Sequence, residues 1–436
     1  MNLENQEHME TKKVYVVDGA RTPFLKARGK PGPFSASDLA VAAGRDLLSR
    51  HAFSPEEIGE VIVGCVMPSE DEANIGRLVS LRLGCGKETP AWSVQRNCAS
   101  GMQSIDSAIK DIQLGRHQLV LVGGAEAMSR APLILKPQMT TWLSGFWAAK
   151  SLSAKVAMLS KLKLSYLAPI IAIIRGLRDP LYGLNMGQTA EIIANQFHIT
   201  REDMDAFALE SHQRVAAAQQ AKHFDEVVPV FDSTGRAYLA DDGVRAESTM
   251  EKLAKLKPFF DKRFGAVTAG NSSQITDGAV MMLLASEEAV KQFNLPVMGA
   301  ILDTEWAGLS PEVMGLGPVM STTPLLQRHN YALSDIDYWE INEAFAAQVI
   351  GCIRAWESAE FCREHFGMDS PMGRLDMSYL NVDGGAIALG HPVGASGARI
   401  VLHLLHVLKR NHAKRGIASI CIGGGQGGSM LVEVGE

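Results

Sequence analysis

The sequence predicts an α/β fold of layered sheets and helices, and three observations predict it. Short runs of β-branched and aliphatic residues alternate with segments of helical spacing, the pattern of strand–helix–strand units with mostly parallel pairing. The same grammar returns in the C-terminal third, as a duplication would produce. The 41 glycines among 436 residues exceed ordinary usage, so tight turns and close backbone approaches are expected. With 46% hydrophobic residues, the chain has enough apolar material for two domains or one duplicated one.

In order along the chain, residues 13–18 read as a buried strand closed by Gly19. Residues 37–49 read as a helix, with Ser37 as N-cap and Leu39, Ala43 and Leu47 on one face. A second strand follows at 60–64, then a helix at 74–83. A short strand at 93–95 leads to Cys98. Met102, Ile105, Ile109 and Ile112 then recur at helical spacing. Residues 119–122 form a strand ending at Gly123-Gly124. In the C-terminal third, a strand at 337–341 runs into Asn342-Glu343-Ala344-Phe345, which opens a helix. The 396–410 helix carries Ile400, Val401, Leu404 and Leu408 on its apolar face. A strand at 419–422, a glycine-rich turn at 423–428 and a return strand at 430–434 close the chain. On this reading Cys98 and Asn342 occupy corresponding strand-to-helix turns.

The expected domain division is 1–130 with 274–295 as the first half, 131–273 as an insertion, and 296–436 as the second half. Between residues 127 and 178 there is no acidic residue but there are eight basic ones: Arg130, Lys136, Lys150, Lys155, Lys161, Lys163, Arg175 and Arg178. Trp142, Phe146, Trp147, Leu152 and Leu164 are interleaved with them, as in basic amphipathic helices.

Composition excludes several classes. A net charge of −6 gives no basic excess for nucleic acid. Six cysteines without a C-x-x-C pair exclude a disulfide scaffold and structural zinc, and a reduced, cytoplasmic compartment fits. The polar, acidic segment 1–10 reads as neither a secretory signal nor a transit peptide. The most apolar run, 164–177, is too short to span a bilayer.

Cys98 carries the chemistry. It precedes a helix, where a thiolate is favoured, and Ala99, Ser100 and Gly101 leave its sulfur approachable. Cys65, Cys85, Cys352 and Cys362 lack such a setting and read as structural. His391 lies in a loop made rigid by Gly390, Pro392, Gly394 and Gly397, where positioned acid–base groups occur; a satisfied core histidine is the plainer reading of it alone. Cys421 is followed by Gly423-Gly424-Gly425, whose backbone N–H groups can approach a substrate oxygen. Asn342 reads either as a helix cap or as an amide facing the same cleft. A thiol, an imidazole and a second thiol suggest acyl transfer through a thioester. A cysteine protease would leave the second cysteine and the glycine loop unexplained.

These residues resemble the thiolase family from about Val14 to Val434. Cys98-Ala99-Ser100-Gly101-Met102 is similar to the family's nucleophile segment. Asn342-Glu343-Ala344-Phe345, Gly390-His391-Pro392 through Gly397, and Cys421 through Gly425 are similar to its three other catalytic loops. Asp18 to Phe24, Gly123 to Ser129, Met186 to Glu191 and Thr268 to Gly278 match further segments. The resemblance implies a thiolase-like fold of duplicated five-stranded α/β/α halves with an inserted loop domain. It implies exchange of acyl groups between CoA thioesters: thiolysis of 3-ketoacyl-CoA, or condensation of two acetyl-CoA. Cys98 would take the acyl group, His391 the thiol proton, and Cys421 would protonate or deprotonate acetyl-CoA. Asn342 would hold a water in one oxyanion hole; the N–H groups of Cys98 and Gly423 would form the other. The pantetheine arm of CoA would pass Met186 and Ser273, with its phosphates near the basic segment. No metal or redox cofactor is implied, and a homodimer or tetramer is.

The insertion at 131–185 resembles that of the thiolase (beta) subunits of trifunctional fatty-acid oxidation complexes. The insertion reads either as a solvated helical lid over the CoA site or as a surface for a hydratase/dehydrogenase subunit or an anionic membrane face. Asn342-Glu343-Ala344-Phe345 and the glycine-rich loop after Cys421, by contrast, follow ordinary thiolases. A decarboxylating condensing enzyme would lack an equivalent of Cys421. A non-catalytic, thiolase-like lipid-binding or scaffold protein would have lost catalytic residues, and none is lost here.

Overall fold

A computed structural model describes residues 12–435. The segment 1–11, with its expected lack of a targeting signal, lies outside the described residues. Nine strands form the path of one mixed sheet: β1 (Val14–Arg21), β2 (Glu60–Gly64), β3 (Ala91–Val94), β4 (Leu119–Ala127), β5 (Thr276–Ala285), β6 (Gly299–Gly308), β7 (Tyr338–Ile341), β8 (Arg415–Ile422) and β9 (Gln426–Glu433). Their order is β7-β8-β9-β6-β1-β5-β4-β2-β3, with the two-residue strand Leu25–Lys26 paired to β5.

That order is a duplication about the β1–β6 junction. β1, β5, β4 and β2 match β6, β9, β8 and β7 in sequence and position. The first half adds β3 as a fifth strand. The second has only a parallel bridge between Trp339 and Leu380 in the equivalent place.

Pairing departs from expectation. Only β2–β3, β2–β4 and β7–β8 are parallel; the β1–β5, β1–β6, β4–β5, β6–β9 and β8–β9 pairs are antiparallel. The reason is connection length. β8 returns as β9 through residues 423–425 alone, and so short a link joins only antiparallel strands. An apolar run does not encode the direction of its neighbour.

The helices that position the site are α1 (Ala36–Ser49), α2 (Ile75–Leu83), α3 (Ser100–Gln113), α4 (Met186–Gln196), α5 (Arg201–Ala221), α6 (Gly317–His329), α7 (Ala346–Glu357) and α8 (Ser396–Arg410). α3 and α8 lie together in a central apolar core made by Met102, Ile105, Ile112, Ile400, Leu404 and Leu408 with inner-face residues of both sheet halves. A Cβ on Gly101 would stand 2.9 Å from the Gly394 carbonyl oxygen, and one on Gly397 2.7 Å from the Met102 nitrogen. The two helix starts therefore touch backbone to backbone. α1 and α2 cover the first half's outer face and α6 and α7 the second's.

The α1 cap lies two residues before the expected one. Ser35 Oγ accepts from the Asp38 N–H at 3.1 Å, and the Asp38 carboxylate accepts from the Ser35 N–H at 3.1 Å. This reciprocal box satisfies two helix-end donors, while the Ser37 N–H donates to Glu72 at 2.6 Å.

Residues 128–275 leave the sheet between β4 and β5, where the second half has the 423–425 turn. Within that excursion the helices Pro137–Ala148, Leu152–Leu159, Leu164–Leu167 and Ala172–Gly176 contain no buried residue. Trp147 is 75% exposed, Leu152 80% and Leu164 85%. Among the described residues no helix is long and apolar enough to cross a membrane.

Candidate active site

The duplication explains how the site assembles. Cys98 precedes α3, so its counterpart is the His391 loop preceding α8, not Asn342 as the sequence suggested. Asn342 follows β7 and corresponds to Cys65 after β2. Because α3 and α8 touch at their starts, Cys98 and His391 come from equivalent turns onto one site.

Cys98 sits behind a tight elbow. Asn97 takes a left-handed φ of 43°, and its side-chain amide donates to the Gly423 carbonyl at 2.7 Å. Ser100 Oγ accepts from the Arg96 N–H at 2.9 Å and donates to the Asn97 carbonyl at 2.7 Å, which fixes the turn. The backbone N–H groups of Gly423 and of Cys98 itself favour the Cys98 thiolate.

The expectation of a resting thiolate is corrected here. Burial pushes the Cys98 thiol above its ordinary value, outweighing those two donors, and the nearby Glu126 charge adds to the rise. The sulfur keeps partial surface access, but its surroundings are as dense as core. Cys421 is buried, and its thiol stands well above the ordinary value, through burial first and then the neighbouring Cys98. The Cys98 sulfur is therefore near enough for its charge to act on Cys421.

His391 is buried, and burial, with Arg399 second, lowers it to about 4. It is a neutral imidazole at physiological pH. Ser396 Oγ lies 2.7 Å from His391 Nδ1 and donates its own proton to the Pro392 carbonyl at 3.1 Å. Nδ1 therefore carries the proton, and the Nε2 lone pair faces the site. Asn342 Nδ2 reaches that Nε2 only at 3.5 Å, a weak contact. Asn342 Oδ1 is buried with no hydrogen-bond partner among the described residues.

Asn342 is not a helix cap: the cap of α7 is Phe345, with extended backbone. Residues 342–345 are held from outside the helix. Glu343 accepts from Ser211 Oγ at 2.6 Å, Asn381 Nδ2 at 2.9 Å and the Ile387 N–H at 3.2 Å. Ser273 donates its N–H to the Ala344 carbonyl at 2.9 Å, and the Gln274 carbonyl accepts from the His391 N–H at 3.0 Å. One strand-like segment thus pins both the Asn342 loop and the His391 loop. Met186 opens α4 against the glycine loop; its Sδ would be 3.1 Å from a Cβ on Gly423.

Cys98, His391, Cys421, Asn342, Gly423 and Met186 are thus brought together, with Ser273 one layer behind. Sequence reading gave no role to Ser396, Asn97 or Glu126. Ser396 lay within a quoted motif at five residues from His391, a spacing that reaches back across the first turn of a helix. A groove of about 400 Å³ is lined by residues including Arg245, Glu247, Ser248, Lys252 and Leu256, which were not anticipated either. Among the described residues no group of three His, Cys, Asp or Glu side chains is arranged to hold a metal ion.

A neutral thiol, a buried neutral imidazole and a second thiol beside a glycine-rich loop suit acyl transfer through a thioester. Comparison with known proteins agrees. Residues 14–288 match the thiolase N-terminal domain and 295–434 the thiolase C-terminal domain. The 3-ketoacyl-CoA thiolase of Yersinia pestis (strain Pestoides F) is 36% identical over 425 residues, 97% of each chain. Human mitochondrial 3-ketoacyl-CoA thiolase, solved in complex with CoA, aligns with a TM-score of 0.83 at 36% identity, over 98% of this chain and 99% of that one. Bacillus anthracis acetyl-CoA acetyltransferase aligns with a TM-score of 0.83 at 34% identity, over 97% and 99%. The chain belongs to the thiolase family. It is an acyltransferase acting on acyl-CoA.

Proposed function

We propose that the chain catalyses thiolysis of 3-ketoacyl-CoA and the reverse condensation of acetyl-CoA through an acyl group on Cys98. The observation that carries this is the joining of the Cys98 turn to the Cys421–Gly423 loop by the Asn97 amide, 2.7 Å from the Gly423 carbonyl, with the basic face of His391 directed to the same site. In thiolysis, the Cys98 proton passes to His391 Nε2 as sulfur attacks the 3-keto carbon. The bond between C2 and C3 then breaks, and Cys421 protonates the acetyl-CoA carbanion. CoA gives its thiol proton to the Cys421 thiolate and attacks the thioester; the departing Cys98 sulfur recovers its proton from His391. Every proton is returned, so neither an oxidant nor a metal enters the balance. Proton transfer from a raised thiol to a lowered imidazole is uphill, so the thiolate forms during attack and not before it.

Asn342, with its unpartnered Oδ1, suits a water that supports the first oxyanion, and the N–H pair suits the second. Met186 and Ser273 suit the pantetheine arm, and Arg245 and Lys252, beside Glu247, line a groove whose cations suit the CoA phosphates. Steady-state thiolysis of acetoacetyl-CoA and of a long-chain 3-ketoacyl-CoA tests the reading: turnover of at least one supports it, and turnover of neither refutes it. Nothing in the site favours a non-catalytic lipid-binding or scaffold role.

Two partner readings belong with this function. β3 ends the sheet, and its outer edge has no partner strand among the described residues; such edges template pairing with another chain, which supports a homo-oligomer. Light scattering after size exclusion that gives a monomer mass would refute it. The insertion's exposed apolar side chains, in a stretch (127–178) with eight basic residues and no acidic one, suit an anionic membrane face. Pelleting with anionic liposomes, abolished by Lys155, Lys161 and Lys163→Glu together, supports this. No pelleting of either protein refutes it, leaving the hydratase/dehydrogenase subunit to be tested by co-purification.

A further inference from the structure

We propose that Glu126 is a positioning residue for acyl transfer, whose carboxylate clamps the His391 loop to the turn that leads to Cys98; this rests on the function proposed above. Glu126 lies on β4 and is fully buried. Its carboxylate accepts from the Val66 and Met67 N–H groups at 2.9 Å each and from the Cys65 thiol at 3.7 Å, and it lies against the Gly394 backbone. Among the described residues no cation pairs with it. A buried carboxylate without a cation is expensive to keep, and burial raises this one to about 7 against its hydrogen bonds. A purely structural bridge needs no such group.

The geometry gives the group a use. Val66 and Met67 follow β2, and the Cys65 N–H donates to the Val94 carbonyl at 3.2 Å on the strand leading to Cys98. Gly394 lies between His391 and Ser396, the residue that orients the imidazole. The Ala395 and Ser396 N–H groups both donate to the Pro392 carbonyl, at 2.9 Å and 3.0 Å, so 392–396 moves as one turn. A Cβ on Gly394 would stand 2.8 Å from Glu126 Oε2 and 2.7 Å from the Ala125 carbonyl. The carboxylate is thus the joint through which the nucleophile's half and the base's half are held at one separation. Small displacements of a catalytic pair of this kind carry large rate effects, on the order of a hundredfold per ångström.

The test uses Glu126→Gln, which keeps the shape but replaces one acceptor oxygen with an NH2 group that faces the Val66 or the Met67 N–H. Gly394→Ala loads the same joint from the other side and decides the matter if the first variant does not fold. With acetoacetyl-CoA and CoA, kcat per active site, counted from the acyl-enzyme burst, falls tenfold or more while KM for CoA stays within twofold. Iodoacetamide alkylation of Cys98, which needs no thiolase turnover, slows by about the same factor. If folded variants keep kcat per site and alkylation rate within twofold of wild type, the proposal is overturned. It is equally overturned if only the burst amplitude falls, because that marks a purely structural role. Normal alkylation chemistry in a wild-type protein with no turnover would instead refute the proposed function and leave the clamp to be judged by alkylation alone.

Discussion

Ser396→Ala isolates the tautomer of His391. In the wild type, Nδ1–H donates to Ser396 Oγ at 2.7 Å inside a site closed to water, and Nε2 is left as the base. Alanine removes the only acceptor found for Nδ1–H. An unsatisfied buried donor costs about 1–3 kcal/mol, and the imidazole recovers part of this by moving its proton to Nε2, where it can no longer act as base. Since about 1.4 kcal/mol is tenfold in rate, the acylation rate falls by roughly tenfold to a hundredfold. The cavity left by one hydroxyl is small, and Ser396 Oγ contributes only one other bond, to Pro392 at 3.1 Å, so the fold survives. The assay is rapid-quench acylation by acetoacetyl-CoA read by intact mass, beside steady-state thiolysis. A folded variant that acylates within twofold of wild type would refute the tautomer assignment.

Three further outcomes follow from the same geometry. Gly425→Ala combines a left-handed φ of 82° with a Cβ driven into the Leu309 carbonyl and 2.8 Å from the Pro311 nitrogen; with backbone on both sides, it lowers stability by at least about 1–2 kcal/mol, and an unchanged melting temperature would contradict this. Burial lowers both His391 and His212 to about 4, against about 6.5 unfolded; between those values the unfolded chain binds protons that the native chain refuses, so stability falls as pH drops through that window, and a melting temperature that rises from pH 6.5 to 4.5 would contradict it. His403 is the opposite case. Although burial opposes it, Glu226 and Asp383 raise it to about 9, so its contribution is whole below about 6.5 and is lost as pH rises through about 9; His403→Gln flattens that alkaline loss.

What was legible in the sequence divides along physical lines. Strand cores and the apolar faces of α3 and α8 were readable because they repeat at fixed local periods. Cys98, His391, Cys421 and Gly423 were readable because glycines and prolines fix the loops that carry them. Strand direction was not, since an apolar run serves either pairing. β4 continues through Gly123 and Gly124 to Ala127: glycines that read locally as a stop are needed because the β5 backbone and the His391 loop press on that strand. The Cys98 thiolate was misjudged because a helix start is visible in sequence and the burial that outweighs it is not. Ser396 and Glu126 act through contacts that only the folded chain creates.

The central claim is that the acyl group rests on Cys98. Wild-type protein incubated with acetyl-CoA and analysed by intact mass and peptide mapping gains one acetyl group on the peptide carrying Cys98, and Cys98→Ala gains none. An acetyl adduct that persists in Cys98→Ala, or turnover by wild type with no adduct under single-turnover conditions, would contradict it.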